Sequence, residues 1–303
     1  MSTAIHTEPR FNDDEAARQH LEAIRWPTGP VCPHCGGTER NVALKGKSHR
    51  AGLYFCGDCR TQFTVTVGTC FERSKIALHK WVYATHLMCA SKKGISAKQL
   101  ERMLGVTYKT AWFMAHRIRE AMKPVDGAPP LGGNGNVVEA DETYIGNIKG
   151  ARRAVGGWHK HAVVALVERS GGVRSFHIPK IKAKDIHAII RTHVARESSL
   201  FTDEAKSYVK VGREFLSHET VNHGKREYAR GDVHTNTIEG YFSLLKRGII
   251  GVYHHVGGQH LQRYCHEFDF RYTQRKITDI ERAELALRGI SGKRLTYRRI
   301  GVQ

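Results

Sequence analysis

Three acidic residues in the second half of the chain suit the chemistry of divalent metal ions. Asp141 closes the apolar run VVEAD and Asp203 closes SLFTD, so both are predicted at the ends of adjacent strands. Glu239 lies in HTNTIEGYFSLLKRG, residues 234–248, which has helical periodicity. Three converging carboxylates repel one another, and the usual reason for their convergence is a pair of metal ions that polarises phosphate and activates water or a hydroxyl. Taken singly, each residue would instead be solvated or cap a helix.

The helix around Glu239 is predicted to have an apolar and a polar side. At 100° per residue, the apolar stripe contains Ile238, Tyr241, Phe242, Leu245 and Ile249. The polar side contains Asn236, Glu239, Ser243 and Lys246. Glu239 stands two turns before Lys246, so the carboxylate can reach a metal ion while the ammonium meets a phosphate of the same substrate. The alternative is an exposed pair of Glu239 with Lys246 or Arg247, worth less than about 1 kcal/mol.

Four of the seven cysteines form two CxxC pairs, CPHC and CGDC. Each pair can aim two thiolates at one ion, so Cys32, Cys35, Cys56 and Cys59 are predicted to complete a closed site for one structural Zn2+. His34 lies within the first pair and is a competing ligand. A redox role is disfavoured because no thioredoxin-like βαβ pattern surrounds either pair.

Residues 95–122, ISAKQLERMLGVTYKTAWFMAHRIREAM, have the layout of a helix-turn-helix motif. Ser96 and Thr107 are placed to cap two helices, and Gly105 supplies the turn between them. The residues expected to meet DNA are Tyr108, Lys109 and Thr110 at base edges, with Arg117 and Arg119 at phosphate. A helical pair with a purely structural role is the alternative.

Composition points to a polyanionic partner. The 303 residues include 48 Lys and Arg against 29 Asp and Glu, a net charge of +19. No apolar run approaches the roughly 18 residues of a membrane span, and the start lacks the apolar core of a signal peptide. We therefore expect a cytoplasmic protein with no membrane partner, associated with the nucleoid when it is bound to DNA.

The composition and the helix and strand patterns change along the chain and predict five regions. They are an N-terminal helix and zinc ribbon at 1–66, a helical DNA-binding region at 67–125, a linker at 126–136, a catalytic domain at 137–275 and a basic tail at 276–303. In the catalytic domain, three strands in a row and then alternating strands and helices predict an α/β fold with a mixed sheet.

Four motifs together carry a resemblance to a known family. CPHCGG, VEADETYIG, FTDEAKSY and HTNTIEGYFSLLKRGIIGVYHHV, in this order, closely resemble the DDE-type transposases of bacterial insertion sequences, specifically the IS1595, or ISXO2-like, family. The resemblance covers roughly residues 15–275. It implies a ribonuclease-H-like catalytic fold and Mg2+-dependent cutting and joining of DNA at the terminal inverted repeats of the element.

The resemblance also assigns roles to residues. Asp141 and Asp203 match the family's two metal-binding aspartates, and Lys246 matches the basic residue that follows the third ligand. Family members have Glu, Asn or His at that third position, and here both Asn236 and Glu239 lie in the relevant turn. We expect Glu239 to be the ligand and Asn236 to orient it or to bond to substrate.

The expected cofactors are two Mg2+ or Mn2+ ions per active site. The expected partners are double-stranded DNA, as element ends and as target, and further copies of the chain in the DNA complex. Lys246 and Arg247 would neutralise the DNA backbone.

Two other functions remain open from the sequence. A nuclease of the same fold, such as a junction resolvase, would cut DNA without joining it. A non-enzymatic zinc-ribbon regulator would explain residues 30–122 and the charge, but it leaves the three acidic residues without a use.

Overall fold

The computed structural model describes residues 5–125, 127–148, 150–152, 159–169 and 171–296. The chain divides into two compact units, Pro124–Lys276 and a second unit made of Met1–Lys123 with Ile277–Gln303. Of the predicted linker and tail, residue 126 and residues 297–303 lie outside the described residues, as do residues 1–4 of the N-terminal region.

The unit formed by the chain ends begins with a helix and a small antiparallel sheet. Its first elements are α1 Asp14–Arg25, β1 Asn41–Ala43, β2 Tyr54–Cys56 and β3 Gln62–Phe63. Asp13 caps α1 by accepting from the amide of Ala16, and Leu21 of this helix is fully buried. The strands pair in the order β1, β2, β3. The second CxxC pair begins at Cys56, the last residue of β2, and ends at Cys59 in the turn before β3.

Three helices follow in this unit: α2 Leu78–Ala90, α3 Ala97–Leu104 and α4 Tyr108–Met122. Ser96 accepts from the amide of Gln99 and Thr107 from that of Thr110, so both predicted caps are confirmed. Gly105 has a φ of 60°, a left-handed conformation that glycine adopts without strain, and it ends α3.

The C-terminal segment is not a simple tail. Residues Asp279–Arg288 form helix α9, which packs against α2 in the same unit. Thr278 and Glu281 form a capping box at its start, and Ala286 and Leu287 are buried. The prediction of a basic tail from residue 276 is therefore wrong for this segment, because the apolar face of the helix is covered by its own unit.

Unit Pro124–Lys276 is built on a five-stranded sheet with helices on both faces. Its strands are β4 Val137–Ile145, β5 His161–Glu168, β6 Val173–Ile178, β7 Ser199–Asp203 and β8 Ser217–Val221, with a small hairpin of β9 Ala229–Arg230 and β10 Val233–His234. Its helices are α5 Ala183–His193, α6 Lys206–Gly212, α7 Asn236–Gly248 and α8 Gly258–Thr273. A π-helical turn, Ile249–Tyr253, follows α7.

The sheet has the order β6-β5-β4-β7-β8. The first three strands are antiparallel neighbours, whereas β7 and β8 run parallel to β4. This confirms the mixed α/β architecture predicted from three consecutive strands followed by alternating strands and helices.

Each face of the sheet has its own apolar core. One core joins β4, β5 and β6 to α7 and α8, and it includes Val163, Tyr241 and Phe268. The other joins the sheet to α5 and α6. The whole predicted apolar stripe of α7 is buried in the first core, so the polar side of that helix faces away from it. Within the described residues, no helix is both long enough and apolar enough to cross a membrane.

Candidate functional site

Asp141 and Asp203 lie side by side on neighbouring parallel strands. The ladder between β4 and β7 ends where Glu139 pairs with Phe201, and the same register, continued by two residues, puts Asp141 opposite Asp203 on the face covered by α7. Asp203 is the last residue of β7, as predicted. Asp141 instead lies in the middle of β4, because β5 pairs with β4 from Val138 to Ile145. The prediction that both carboxylates emerge at strand ends is therefore wrong for Asp141.

The electrostatics of this pair reflect crowding of negative charge. Burial, together with repulsion from Asp203, Glu142 and Glu239, raises the pKa of Asp141 to about 8. Burial also raises the pKa of Asp203, against the hydrogen bond that its Oδ1 accepts from the amide of Ala205 at 3.0 Å. In both cases, burial removes water that would stabilise the ionised carboxylate.

Glu239 lies in the first turn of α7 and lines the same cavity as Asp141. The cavity has a volume of about 630 Å³, and its other lining residues are Glu142, Thr143, Phe242, Ser243, Lys246, Arg247, Ile250 and Gly251. The Oε1 of Glu239 lies 3.4 Å from the Thr235 hydroxyl and 3.9 Å from Nε2 of His223. Acidic and basic side chains therefore line one cavity, and Glu239, Lys246 and Arg247 all reach it from α7.

Asn236, the alternative third ligand, is the first residue of α7. It is exposed and does not belong to the lining of this cavity. Its backbone amide lies 3.3 Å from Nδ1 of His234. Of the two candidates, Glu239 is the one that shares a cavity with Asp141.

The four cysteines of the CxxC pairs converge on one point. Their sulfur atoms all lie within 4.8 Å of one another, with Cys32 3.7 Å from Cys59 and Cys35 3.6 Å from Cys56. Among the described residues, no other group of three or more Cys, His, Asp or Glu side chains brings its ligand atoms this close together. His34 is not a member of it. Four converging thiolates are the donor set of a closed structural zinc site.

The residues predicted to contact DNA divide into two groups. Tyr108 is 44% exposed and Lys109 is exposed, while Thr110 bonds to the hydroxyl of Thr107 at 2.9 Å, all at the start of α4. Arg117 is buried: it donates to the carbonyl of Glu72 at 2.6 Å, and its guanidinium lies over Trp81.

The prediction of a phosphate contact is therefore wrong for Arg117, and the same holds for Arg119, which is 2% exposed. Both lie on the packed side of α4, where the aliphatic part of arginine contributes to the core.

Several polar residues around the site were missed from the sequence. Glu142 accepts a hydrogen bond from the buried hydroxyl of Tyr208, and Glu139 is fully buried against the start of α7. Burial of Glu139 could have been predicted from the sequence, because an acidic residue inside an apolar strand must find buried partners. The position of His223 could not, since its proximity to Glu239 depends on the chain path after β8.

Two family models match the chain. Residues 130–273 match an ISXO2-like transposase domain, and residues 12–62 match a transposase zinc-ribbon domain. A curated relative, described as an uncharacterized protein in transposable element ISH50 of Halobacterium salinarum, is 29% identical over 281 residues, which cover 86% of this chain and 91% of the relative. The matched ranges contain the carboxylate cavity and the four-cysteine cluster, respectively.

Proposed function

The chain belongs to the family of ISXO2-like transposases, and on that premise we propose that it binds the ends of an insertion sequence, cleaves DNA strands there and transfers them to target DNA. The observation that carries the proposal is the cavity that Asp141 and Glu239 line together with Lys246 and Arg247. Asp203 does not line this cavity but ends β7, the strand next to the one that carries Asp141. We further infer that Pro124–Lys276 has a ribonuclease-H-like fold, which the mixed five-stranded sheet with helices on both faces supports.

The acidic residues fit the Mg2+ ions that the family implies. Carboxylate oxygens are the ligands that Mg2+ prefers, and the crowding that raises the pKa of Asp141 would be relieved by a bound cation. Carboxylates that surround two ions about 3.5–4 Å apart need not converge as tightly as the four cysteines do. We assign Asp141, Asp203 and Glu239 as the residues that would hold the ions.

When bound, such ions activate the attacking oxygen and neutralise charge on the phosphate. The residues of this chain supply the remaining functions. Lys246 and Arg247 line the cavity and would bind the phosphates that flank the cleaved bond. Hydrolysis and strand transfer differ in the attacking group, water or a 3′-hydroxyl, so one cavity serves both steps. Joining two ends also implies that several copies of the chain assemble on DNA.

The other unit offers a second surface that suits DNA. A cavity of about 640 Å³ beside the turn between α3 and α4 is lined by Lys75, Lys80, Thr107 and Thr110, among other residues. Tyr108 and Lys109 follow immediately on the exposed start of α4. We infer that α3 and α4 act as a helix-turn-helix motif whose second helix meets base edges while Lys75 and Lys80 meet phosphate.

Replacing Lys75 and Lys80 together by alanine is expected to weaken binding to DNA of any sequence and to lower the slope of log affinity against log salt by about 2, one unit for each lost phosphate contact. Fluorescence anisotropy over a series of salt concentrations measures this slope. The matched control replaces Lys92 and Lys93, two exposed lysines just after the other end of α2. An equal change in both double variants would mean that the effect comes from net charge and not from this cavity.

The cysteine cluster predicts one Zn2+ per chain. Cys56→Ser should lose this zinc and lower the melting temperature, since a closed thiolate site contributes directly to folding of a small ribbon. Cys70→Ser is the control, because Cys70 is buried in the same unit but lies outside the cluster. Metal analysis by mass spectrometry distinguishes them. Full zinc content in Cys56→Ser would refute the assignment.

Cleavage and joining of labelled oligonucleotides that carry the terminal repeats of the element test the proposed function as a whole. A transposase gives joined products, a nuclease gives cut products alone, and a regulator gives neither.

A further inference from the structure

Glu139 is a buried acidic residue with a complete set of partners. It lies between apolar residues of β4 and is 0% exposed, although its side chain is acidic. Oε1 accepts from Arg169 Nε at 2.7 Å and from the Thr237 hydroxyl at 2.8 Å, while Oε2 accepts from the backbone amide of Ile238 at 2.9 Å. A buried carboxylate is tolerated in this way only where hydrogen bonds and a cation compensate for lost solvent.

These contacts make Glu139 the cap of α7. The first amides of a helix lack partners within the helix, and a flanking side chain usually accepts from one of them. Thr235, the flanking residue here, makes no such bond. Glu139 reaches from β4 to accept from Ile238 instead, and its negative charge is favourable at the positive end of the helix dipole.

Arg169 extends this contact to the chain segment before α7. Its guanidinium donates to the backbone carbonyls of Asp232 at 2.7 Å and His234 at 2.9 Å, and it lies over the ring of Phe201 on β7. The side chains of Glu139 and Arg169 therefore connect β4 and β7 to both sides of the point where α7 begins.

The position of this anchor relates it to the candidate catalytic carboxylates. Glu139 and Asp141 are two residues apart on β4 and so project from the same face of one strand. The amide that Glu139 binds belongs to Ile238, the residue directly before Glu239. The separation between Asp141 and Glu239 thus depends on the bond between Glu139 and the start of α7.

We propose that Glu139, held by Arg169, is a positioning residue that fixes Glu239 of α7 opposite Asp141 of β4, so that the acidic residues can share divalent metal ions. This proposal rests on the proposed function above. It predicts that loss of the Glu139 contacts weakens metal binding even when no DNA is present and no reaction occurs.

The test measures Mn2+ binding to the full, zinc-loaded chain by the electron paramagnetic resonance signal of free Mn2+. Glu139→Gln keeps the shape of the side chain but replaces one accepting oxygen by a donor that faces other donors. We expect its Mn2+ affinity to fall about 10-fold or more, as is typical when a residue that orients metal ligands is changed. Arg169→Lys should cause a smaller loss in the same direction, and it serves as the test if Glu139→Gln does not fold.

Glu267→Gln is the matched control. Glu267 is also fully buried and paired with an arginine, Arg271, but both lie on α8 of the same unit. It should lose stability while keeping its Mn2+ affinity. Wild-type affinity in Glu139→Gln, or in Arg169→Lys where that variant serves, would overturn the proposal, as would an equal loss in Glu267→Gln. Asp141→Asn distinguishes failure of the positioning role of Glu139 from failure of the proposed metal site. If Asp141→Asn also binds Mn2+ like the wild type, the proposed metal site itself is wrong.

Discussion

Asp141→Asn is expected to abolish DNA strand cleavage while leaving binding of the element end nearly unchanged. Asparagine keeps the size of the side chain but removes the charge that would hold a metal ion. Loss of metal-ion catalysis removes several kcal/mol of transition-state stabilisation, which corresponds to about a 1,000-fold or larger loss in rate. Binding should persist because DNA affinity comes mainly from Lys and Arg contacts to phosphate. Single-turnover cleavage and a gel-shift assay at fixed salt measure the two quantities.

Asp203→Asn should behave in the same way, because Asp203 is level with Asp141 on the neighbouring strand. Asp185→Asn is the control, since Asp185 lies in the first turn of α5, a helix that packs on the face of the sheet opposite α7. It should retain cleavage. A loss of DNA binding as large as the loss of cleavage in Asp141→Asn would contradict a catalytic role and indicate a structural one.

Glu239→Gln is expected to reduce cleavage in Mg2+ by about 100-fold or more, whereas Asn236→Ala should reduce it by less than about 10-fold. The difference follows from position: Glu239 shares a cavity with Asp141, and Asn236 lies outside the lining of that cavity. A carboxylate also offsets the charge of the metal better than an amide does. Cleavage rates of both variants in Mg2+ and in Mn2+ provide the comparison.

Mn2+ should restore part of the activity of Glu239→Gln, because Mg2+ demands near-ideal octahedral geometry, whereas Mn2+ accepts a weaker, neutral amide oxygen in an imperfect ligand set more readily. Glu219→Gln is a suitable control, since it removes a half-buried carboxylate of the same unit that pairs with Arg230 and does not line the cavity. Near-normal cleavage by Glu239→Gln together with an inactive Asn236→Ala would assign the third position to Asn236.

Local signals predicted much of the fold. The caps at Ser96 and Thr107 and the left-handed Gly105 lie where the sequence placed them, because each depends on only a few neighbouring residues. The buried stripe of α7 followed from helical periodicity alone. For the same reason, the side of α7 that carries Glu239 was predictable.

Features set by strand pairing and packing were not predictable in this way. Asp141 lies within β4 and not at its end, since the length of β4 is determined by its ladder with β5. Arg117 was predicted to contact phosphate, yet it is buried and its guanidinium lies over Trp81. The partners of Glu139 come from residues 30 to about 100 positions away, so no local pattern identifies them.

Helix α9 is a different case, because its signal was present in the sequence. TDIE at 278–281 has the spacing of a capping box and precedes the buried Ala283, Ala286 and Leu287. The high basic charge of the surrounding segment led instead to the prediction of a tail. A capping box followed by residues with helical spacing outweighs net charge as evidence of structure.

A strand-transfer assay tests the central claim most directly. The full chain, loaded with zinc, is incubated with Mg2+, a labelled duplex that carries the terminal inverted repeat of its element, and an unlabelled target duplex. We predict that the label appears in longer strands in which the 3′ end of the repeat is joined to target DNA, and that Asp141→Asn yields none. Cut strands without joined product, or bound but uncut DNA, would contradict the assignment as a transposase.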